Sequence, residues 1–153
     1  MKKKLLAASL ALVFGAGSGY VLNAFAQAKP DVLVKQRQSA MTLIGKYFGP
    51  LGAMASGKAP YDAAVVARNA GYLDALDKMP WDGFTADTKD EKSRALPVVF
   101  TDTAKFKEAS ERLQSEVAKL VSVSKGSDEA AAKNQIQAVA KACANCHENF
   151  RAK

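Results

Sequence analysis

The sequence predicts an all-α protein, folded as an antiparallel four-helix bundle. Apolar residues recur at alternating steps of three and four in four segments between residues 30 and 150, and no window keeps the period of two that is typical of strands. Stretches rich in glycine, proline or charged residues separate these four segments. Four amphipathic helices joined in this way can bury their apolar lines only against one another.

The first two predicted helices lie on either side of a glycine-rich connection, FGPLGAMASGKAP. The first covers about residues 30–48, and its line toward the core is Val34, Arg37, Met41, Ile44 and Phe48. The second follows Pro60, because proline suits the first turn of a helix. Its predicted line is Val65, Tyr72, Leu76 and Met79.

The last two predicted helices follow residues that favour helix starts. The third begins near Thr101 and Asp102, and its line is Phe106, Ala109, Leu113, Val117 and Leu120. The fourth begins near Ser127, with acidic residues in its first turn, and its line is Ile136, Val139, Cys143, Cys146, His147 and Phe150. The polar segment MPWDGFTADTKDEKSRALP, before the third helix, is predicted to be a loop across one end of the molecule.

Residues 1–26 have the layout of a secretory signal peptide. Three lysines precede an uncharged, mostly apolar run, which ends in small residues at Ala24 and Ala26. We expect cleavage after Ala26, which leaves residues 27–153 as one domain. The alternative is an uncleaved membrane anchor, because the uncharged run is almost long enough to span a bilayer. Glycine, serine and asparagine dilute its second half, which favours cleavage over an anchor. After cleavage we expect no stable membrane insertion.

The predicted mature domain is mildly basic. Three of the 22 basic side chains are lost with the signal peptide, so 19 remain against 15 acidic ones, a net charge of about +4. The domain has no block of lysine and arginine and no aromatic residues interleaved with basic ones. We therefore expect no nucleic-acid partner.

The two cysteines and the only histidine of the chain lie within five residues of each other, in Cys143-Ala144-Asn145-Cys146-His147. A Cys-x-x-Cys-His motif is typical of covalent haem attachment, in which the two thiols form thioethers and the imidazole binds the iron. The motif shares its helix face with Ile136 and Val139, so it is predicted to point into the bundle. Cys143 and Cys146 are therefore the predicted attachment sites, and His147 is the predicted proximal iron ligand.

Three other uses of the motif are less consistent with the sequence. A disulfide suits an exported protein, but one that closes across two residues of a helix would add little stability. A thioredoxin-like redox pair needs a βαβ context, which the predicted helices do not provide. A zinc site needs a fourth ligand, and no further cysteine or histidine exists to provide one.

The chain resembles the class II c-type cytochromes, which comprise cytochrome c′ and its low-spin relatives of the c-556 type. The segments that carry the resemblance are, in chain order, KQRQSAM at residues 35–41, LGAMASGKAPYDAA at 51–64, MPWDGF at 79–84 and KACANCHENFR at 141–151. It implies a four-helix bundle with one covalently bound haem c near the C-terminal helix. It also implies a periplasmic location and, as in many members, a homodimer.

The distal face of the iron decides the function that the resemblance implies. In the low-spin members a methionine at the position of Met41 binds the iron, which predicts electron transfer with redox partner proteins. In cytochrome c′ the side chain there packs over a five-coordinate iron, which predicts binding of NO or CO with Met41 as a steric gate. Electron transfer is the main prediction and gas binding the alternative. Peroxidase activity is not expected, because no distal histidine is available as acid or base.

Two arginines flank the predicted haem. Arg37 lies one turn before Met41, and a charge on this line needs a partner. The resemblance implies the haem propionates as that partner, and the alternative is a rim position that reaches solvent. Arg151 lies one turn after His147. The resemblance implies that it borders the proximal face, and the alternative is that it complements the helix dipole.

Overall fold

The computed structural model describes residues 28–153, so the predicted signal peptide lies outside the described residues. It contains four long helices, α1 (Pro30–Ala55), α2 (Ala63–Leu76), α4 (Thr103–Val123) and α5 (Glu129–Phe150), and a single-turn helix, α3 (Val98–Thr101). Two 3-10 turns, Trp81–Gly83 and Ala86–Thr88, lie between α2 and α3. Within residues 28–153, no helix is both long and apolar enough to cross a membrane.

The four long helices form a closed ring around one core. Helix α1 packs against α2 and α5, and α4 packs against the same two helices. Short connections at residues 56–62 and 124–128 make their neighbours antiparallel. The side chains at the centre are almost completely buried: Leu51, Val66, Leu73, Val117, Leu120, Ile136 and Val139. The predicted all-α, antiparallel four-helix bundle is therefore confirmed.

Three of the long helices begin at an aspartate. The side chains of Asp62, Asp102 and Asp128 accept hydrogen bonds from the backbone N–H groups three residues later, at 3.0, 3.2 and 2.9 Å. Each carboxylate thus pairs with a group that has no partner inside the helix. The predicted starts of the helices that became α4 and α5 are confirmed, whereas α2 begins after Asp62 rather than at Pro60.

Helix α1 runs seven residues beyond its predicted end at Phe48. It continues through Pro50, which is inside the helix and removes one backbone hydrogen bond. The prediction of a loop here was wrong because Leu51 and Met54 extend the core-facing line and are only 0% and 7% exposed. Burial of these two side chains offsets the cost of the proline.

Helix α2 faces the core with a different line from the predicted one. Its buried residues are Val66, Asn69, Ala70 and Leu73. Two members of the predicted line, Tyr72 and Met79, are instead 45% and 55% exposed. The prediction gave most weight to large apolar residues and so missed Ala70 and the buried Asn69, whose side chain bonds to the backbone of α1.

Asn69 of α2 bonds to α1 three residues before Pro50. Its Nδ2 donates to the carbonyl oxygen of Tyr47 at 3.0 Å, and the side chain is buried. We expect Asn69→Ala to lower the free energy of unfolding by about 1–3 kcal/mol, because this carbonyl loses a buried donor. Urea unfolding of the haem-loaded protein would measure the change. Asn134→Ala, at an exposed position of α5, is the matched control, and equal losses in the two variants would contradict the assignment.

Candidate haem site

A cleft of about 670 Å³ lies between α1, α5 and the long connection that follows α2. Its size falls within the range of about 300–1,000 Å³ that is usual for cofactor sites. Most of its lining is apolar. Helix α1 contributes Met41, Ile44 and Phe48, and the connection contributes Trp81 and Phe84. Helix α5 contributes Cys143, Cys146, His147 and Phe150. Phe106 and Leu113 of α4 close the back of the cleft.

Helix α5 directs the whole Cys-x-x-Cys-His motif into this cleft. Cys143, Cys146, His147 and Phe150 lie on one face because steps of three and four residues return to the same side of a helix. Both thiols are free. Burial raises the pKa of Cys143 to about 11 and raises the pKa of Cys146 as well, so both thiols are protonated at neutral pH.

His147 is suited to bind a metal as a neutral imidazole. Its burial lowers its pKa, and the positive charges of Arg151 and Arg94 lower it further. Among residues 28–153 there is no group of three or more His, Cys, Asp or Glu side chains that could hold a metal ion by themselves. A haem iron has a different requirement, because the porphyrin supplies four ligands and the protein needs to supply only the axial ones.

Of the three methionines in the described part of the chain, Met41 lines the cleft. It is partly buried and packs against the core cluster. Met54 lies in the core, and Met79 is exposed; neither is among the lining residues. The glycine-rich connection predicted from the sequence includes Met54, whereas the structure places Met54 in α1.

Arg37 fastens the long connection to α1. Its Nη1 donates to the Gly83 carbonyl oxygen at 2.7 Å and to Thr88 Oγ1 at 2.9 Å, and its Nη2 donates to Ser93 Oγ at 3.1 Å. The side chain is 3% exposed, so the alternative of a rim position reaching solvent is wrong. Arg37 also lines the cleft. Two of its five N–H groups take no part in these bonds and are available to another acceptor. Contact of Arg37 with the haem propionates stays a prediction.

The far end of the connection pairs with the last residue of α5 and with the chain just after it. The Leu96 N–H donates to the Phe150 carbonyl oxygen at 3.0 Å, and the Ala152 N–H donates to the Arg94 carbonyl oxygen at 2.8 Å. The Arg94 side chain donates to the Ala152 carbonyl oxygen through Nε and Nη2, at 3.0 and 2.6 Å. These bonds place Arg94 and Arg151, both exposed, at the mouth of the cleft.

Comparison with known proteins gives one consistent result. A family profile described as Cytochrome C' matches residues 32–151. The chain is 40% identical to cytochrome c′ of Rubrivivax gelatinosus, over 82% of this chain and 98% of that protein. The chain belongs to the cytochrome c′ family.

Solved structures of the cytochrome c′ family have the same fold. The crystal structure of cytochrome c′ from Rubrivivax gelatinosus matches with a TM-score of 0.77 at 38% identity, over 81% of this chain and 98% of that one. A nitric oxide complex of a cytochrome c prime variant from Alcaligenes xylosoxidans matches with a TM-score of 0.75 at 35% identity, over 82% and 98%. A protein named cytochrome c-556, from Rhodopseudomonas palustris, is 34% identical over 87% of this chain and 91% of its own length.

The cleft fits the single covalent haem c of the cytochrome c′ family. It has the volume, an apolar wall, two thiols and a neutral imidazole on one face. No acidic side chain of the described chain lines it, whereas Arg37, Arg94 and Arg151 do. Three positive charges without a lining carboxylate suit a group that carries two propionates.

The sequence did not identify the contribution of the connection to this site. Trp81, Phe84, Ser93 and Arg94 all line the cleft, although the segment was predicted only to cross one end of the bundle. Two aromatic residues in an otherwise polar segment were a signal that part of it is buried. Their partners could not be read from the sequence, because Phe84 packs against Phe106, 22 residues later in the chain, at 4.8 Å between ring centroids.

Proposed function

We propose that this protein is an exported mono-haem cytochrome c′ whose five-coordinate iron binds NO or CO. Cys143 and Cys146 hold the haem through thioethers, and His147 is the proximal ligand. Met41 packs over the distal face as a steric gate. Bound haem supplies the iron that takes the diatomic ligand, while the protein supplies attachment, one axial ligand and a shielded cleft.

The observation that carries this proposal is that Met41 and the C-terminal motif line one cleft. The two come from different helices, α1 and α5, so a flat cofactor bound to α5 would have α1 beside it. A relative with the same fold has been solved as a nitric oxide complex, which supports the same ligand class here. The partly buried thioether of Met41 is flexible, and it can move aside for a small uncharged ligand.

Electron transfer with Met41 bound to the iron is the second candidate. Met41 is the only lining methionine among residues 28–153, and a relative carries the name cytochrome c-556. Thioether ligation would close the site to gases and raise the reduction potential. In that case the partners are redox proteins rather than a gas. The candidate ranks second because four relatives, 35–40% identical to this chain, are named cytochrome c′.

The cellular setting is part of the proposal. The pattern of residues 1–26 supports export, and the family resemblance supports the periplasm as the destination. Covalent haem attachment also suits an exported protein, because a thioether-bound cofactor cannot be lost to the surroundings. A homodimer, implied by the same resemblance, stays a prediction.

Spectra of the ferric protein with Met41→Ala beside it separate the two candidates. We expect high-spin absorption and EPR signals in both proteins, and CO association about tenfold faster in the variant, which corresponds to removing about 1.4 kcal/mol of steric cost. Met79→Ala is the matched control, because Met79 is exposed and outside the cleft. A low-spin signal in the parent protein that becomes high-spin in Met41→Ala would instead make the protein an electron carrier.

A further inference from the structure

Arg37 holds a part of the chain that is far from it in sequence and close to the haem cleft. Its three acceptors, on Gly83, Thr88 and Ser93, span eleven residues of the connection. All three are neutral oxygens, and no salt bridge within residues 28–153 includes Arg37. A guanidinium group is suited to this task because its planar fork of donors reaches several acceptors at fixed angles.

The acceptors in turn depend on Arg37. Thr88 is completely buried, and its hydroxyl already donates to the Thr85 carbonyl oxygen at 2.8 Å, so it needs a donor for its own oxygen. Ser93 Oγ also accepts from the Ala95 N–H at 3.3 Å, which extends the network toward the mouth of the cleft. Removing the guanidinium would leave buried oxygens without donors.

The backbone of the connection is also seated tightly on α1 at this point. A Cβ atom added at Gly83 would lie 3.0 Å from the Leu33 carbonyl oxygen and 3.2 Å from Arg37 Cβ. The Arg37 guanidinium lies over the ring of Phe84, with its carbon 4.3 Å from the ring centroid. Phe84 and its neighbour Trp81 form the wall of the cleft, so the contacts of Arg37 bear directly on that wall.

We propose that Arg37 is a positioning residue that closes the connection over the haem cleft and so controls the access of external ligands to the iron. This inference rests on the proposed haem function. Arg37 acts through the connection: when its bonds are broken, the segment from Trp81 to Ser93 separates from α1 and the cleft opens. A role through the charge on propionates alone would not need the three neutral acceptors.

Trp81 offers a direct measure of this opening, because it is the only tryptophan of the chain and it lines the cleft. Haem close to Trp81 quenches its fluorescence. In haem-loaded Arg37→Lys, which keeps the charge but lacks the fork, we expect Trp81 emission to rise and CO association to become about tenfold faster, since each charge-assisted bond is worth roughly that factor. Arg112→Lys, at an exposed position of α4, is the matched control.

The double variant Thr88→Val, Ser93→Ala tests the same role with Arg37 intact. It removes two acceptors and leaves the charge, so we expect the same two changes as in Arg37→Lys, in a protein that still has its arginine. Unchanged emission and CO rates in this variant would overturn the proposal and favour a propionate role. A lower melting temperature in Arg37→Lys without either change would also overturn it, because Arg37 would then be merely structural.

The haem content of the unaltered protein is measured first, so that the two proposals fail separately. If it binds no haem, the proposed function is wrong, and the positioning role is then tested by acrylamide quenching of Trp81 in the haem-free chain. Greater quenching in Arg37→Lys than in Arg112→Lys would still support the positioning role of Arg37. Equal quenching would overturn it.

Discussion

Replacing Cys143 and Cys146 together by serine is expected to abolish covalent haem attachment. Both thiols line the cleft and are free, and the sequence contains no other cysteine that could replace them. Serine keeps nearly the same shape but does not form the thioether. Any haem that remains would be held only through His147 and the apolar wall, and acidified organic solvent would extract it.

Haem-stained denaturing gels after co-expression with a c-type maturation system would measure the effect. The double variant should lose essentially all of the covalent signal, and each single variant should retain one thioether and a shifted pyridine haemochrome band. Ala144→Ser is the matched control, since Ala144 lies between the cysteines but is exposed. A covalent signal of normal strength in the double variant would show that the attachment site is elsewhere.

Stability is expected to fall as the pH rises from about 4 to 7, because of one buried carboxyl group. Asp77 ends α2, is 1% exposed, and neither of its carboxyl oxygens has a hydrogen-bond partner. Burial raises its pKa from 3.8 to about 6, and Asp74 adds to this while Lys78 opposes it. The folded state therefore binds the proton more tightly than the unfolded state does.

This difference in proton affinity sets the direction and the size of the change in the free energy of unfolding with pH. Well below pH 3.8 the group is protonated in both states. Between about pH 3.8 and 6 the unfolded state loses the proton while the folded state keeps it, so the free energy of unfolding falls. Above pH 6 both states are ionised, and about two pKa units correspond to roughly 3 kcal/mol lost by pH 7. Asp77 is thus a cost to the fold at neutral pH rather than a support.

Asp77→Asn removes the ionisation and is expected to remove this pH dependence. The free energy of unfolding of the variant, relative to the parent protein, should rise by roughly 3 kcal/mol between pH 4 and pH 7. Denaturant unfolding of the haem-loaded proteins at several pH values would measure it. Asp87→Asn, at an exposed position, should show no such rise. A constant difference across this pH range for Asp77→Asn would mean that Asp77 is ionised in the folded protein.

Asp77 also lies where the connection to the cleft begins. Its carbonyl oxygen accepts from Trp81 Nε1 and, at 3.4 Å, from Gln114 Nε2 of α4. The start of the connection is therefore tied to α2 and α4, its middle to Arg37 of α1, and its end to Phe150 of α5 and the residues after it. All four long helices thus hold the segment that forms one wall of the haem cleft.

Features that depend on neighbours along the chain were predicted well. The lines of α4 and α5 are largely correct because a helical period of 3.6 residues relates side chains only three or four positions apart, although Ser110 rather than Ala109 is buried in α4. The same period places Cys143, Cys146, His147 and Phe150 on one face, so the shared orientation of the motif followed from its spacing. The starts predicted near Asp102 and Ser127 lie close to the observed caps, Asp102 and Asp128, which act on N–H groups three residues away and so also depend on a local relation.

Features that depend on packing were predicted poorly. The proline and glycines after Phe48 favour a loop when they are considered alone. Burial of Leu51 and Met54 in the core is what extends α1 past them. In α2, Asn69 and Ala70 carry little apolar signal, although both are buried and Asn69 bonds to the backbone of α1. In both places a tertiary contact outweighs a local preference.

Local sequence patterns were enough to establish the helical class of the protein, the helix starts near Asp102 and Ser127, and the grouping of two thiols and one imidazole on a single helix face. What lies opposite that face depends on how the helices pack. The bonds from Arg37 reach residues 46 to 56 positions away, and those of Arg94 reach 58 positions. Contacts over such distances form only when the helices pack around a common core, and no local spacing rule specifies them.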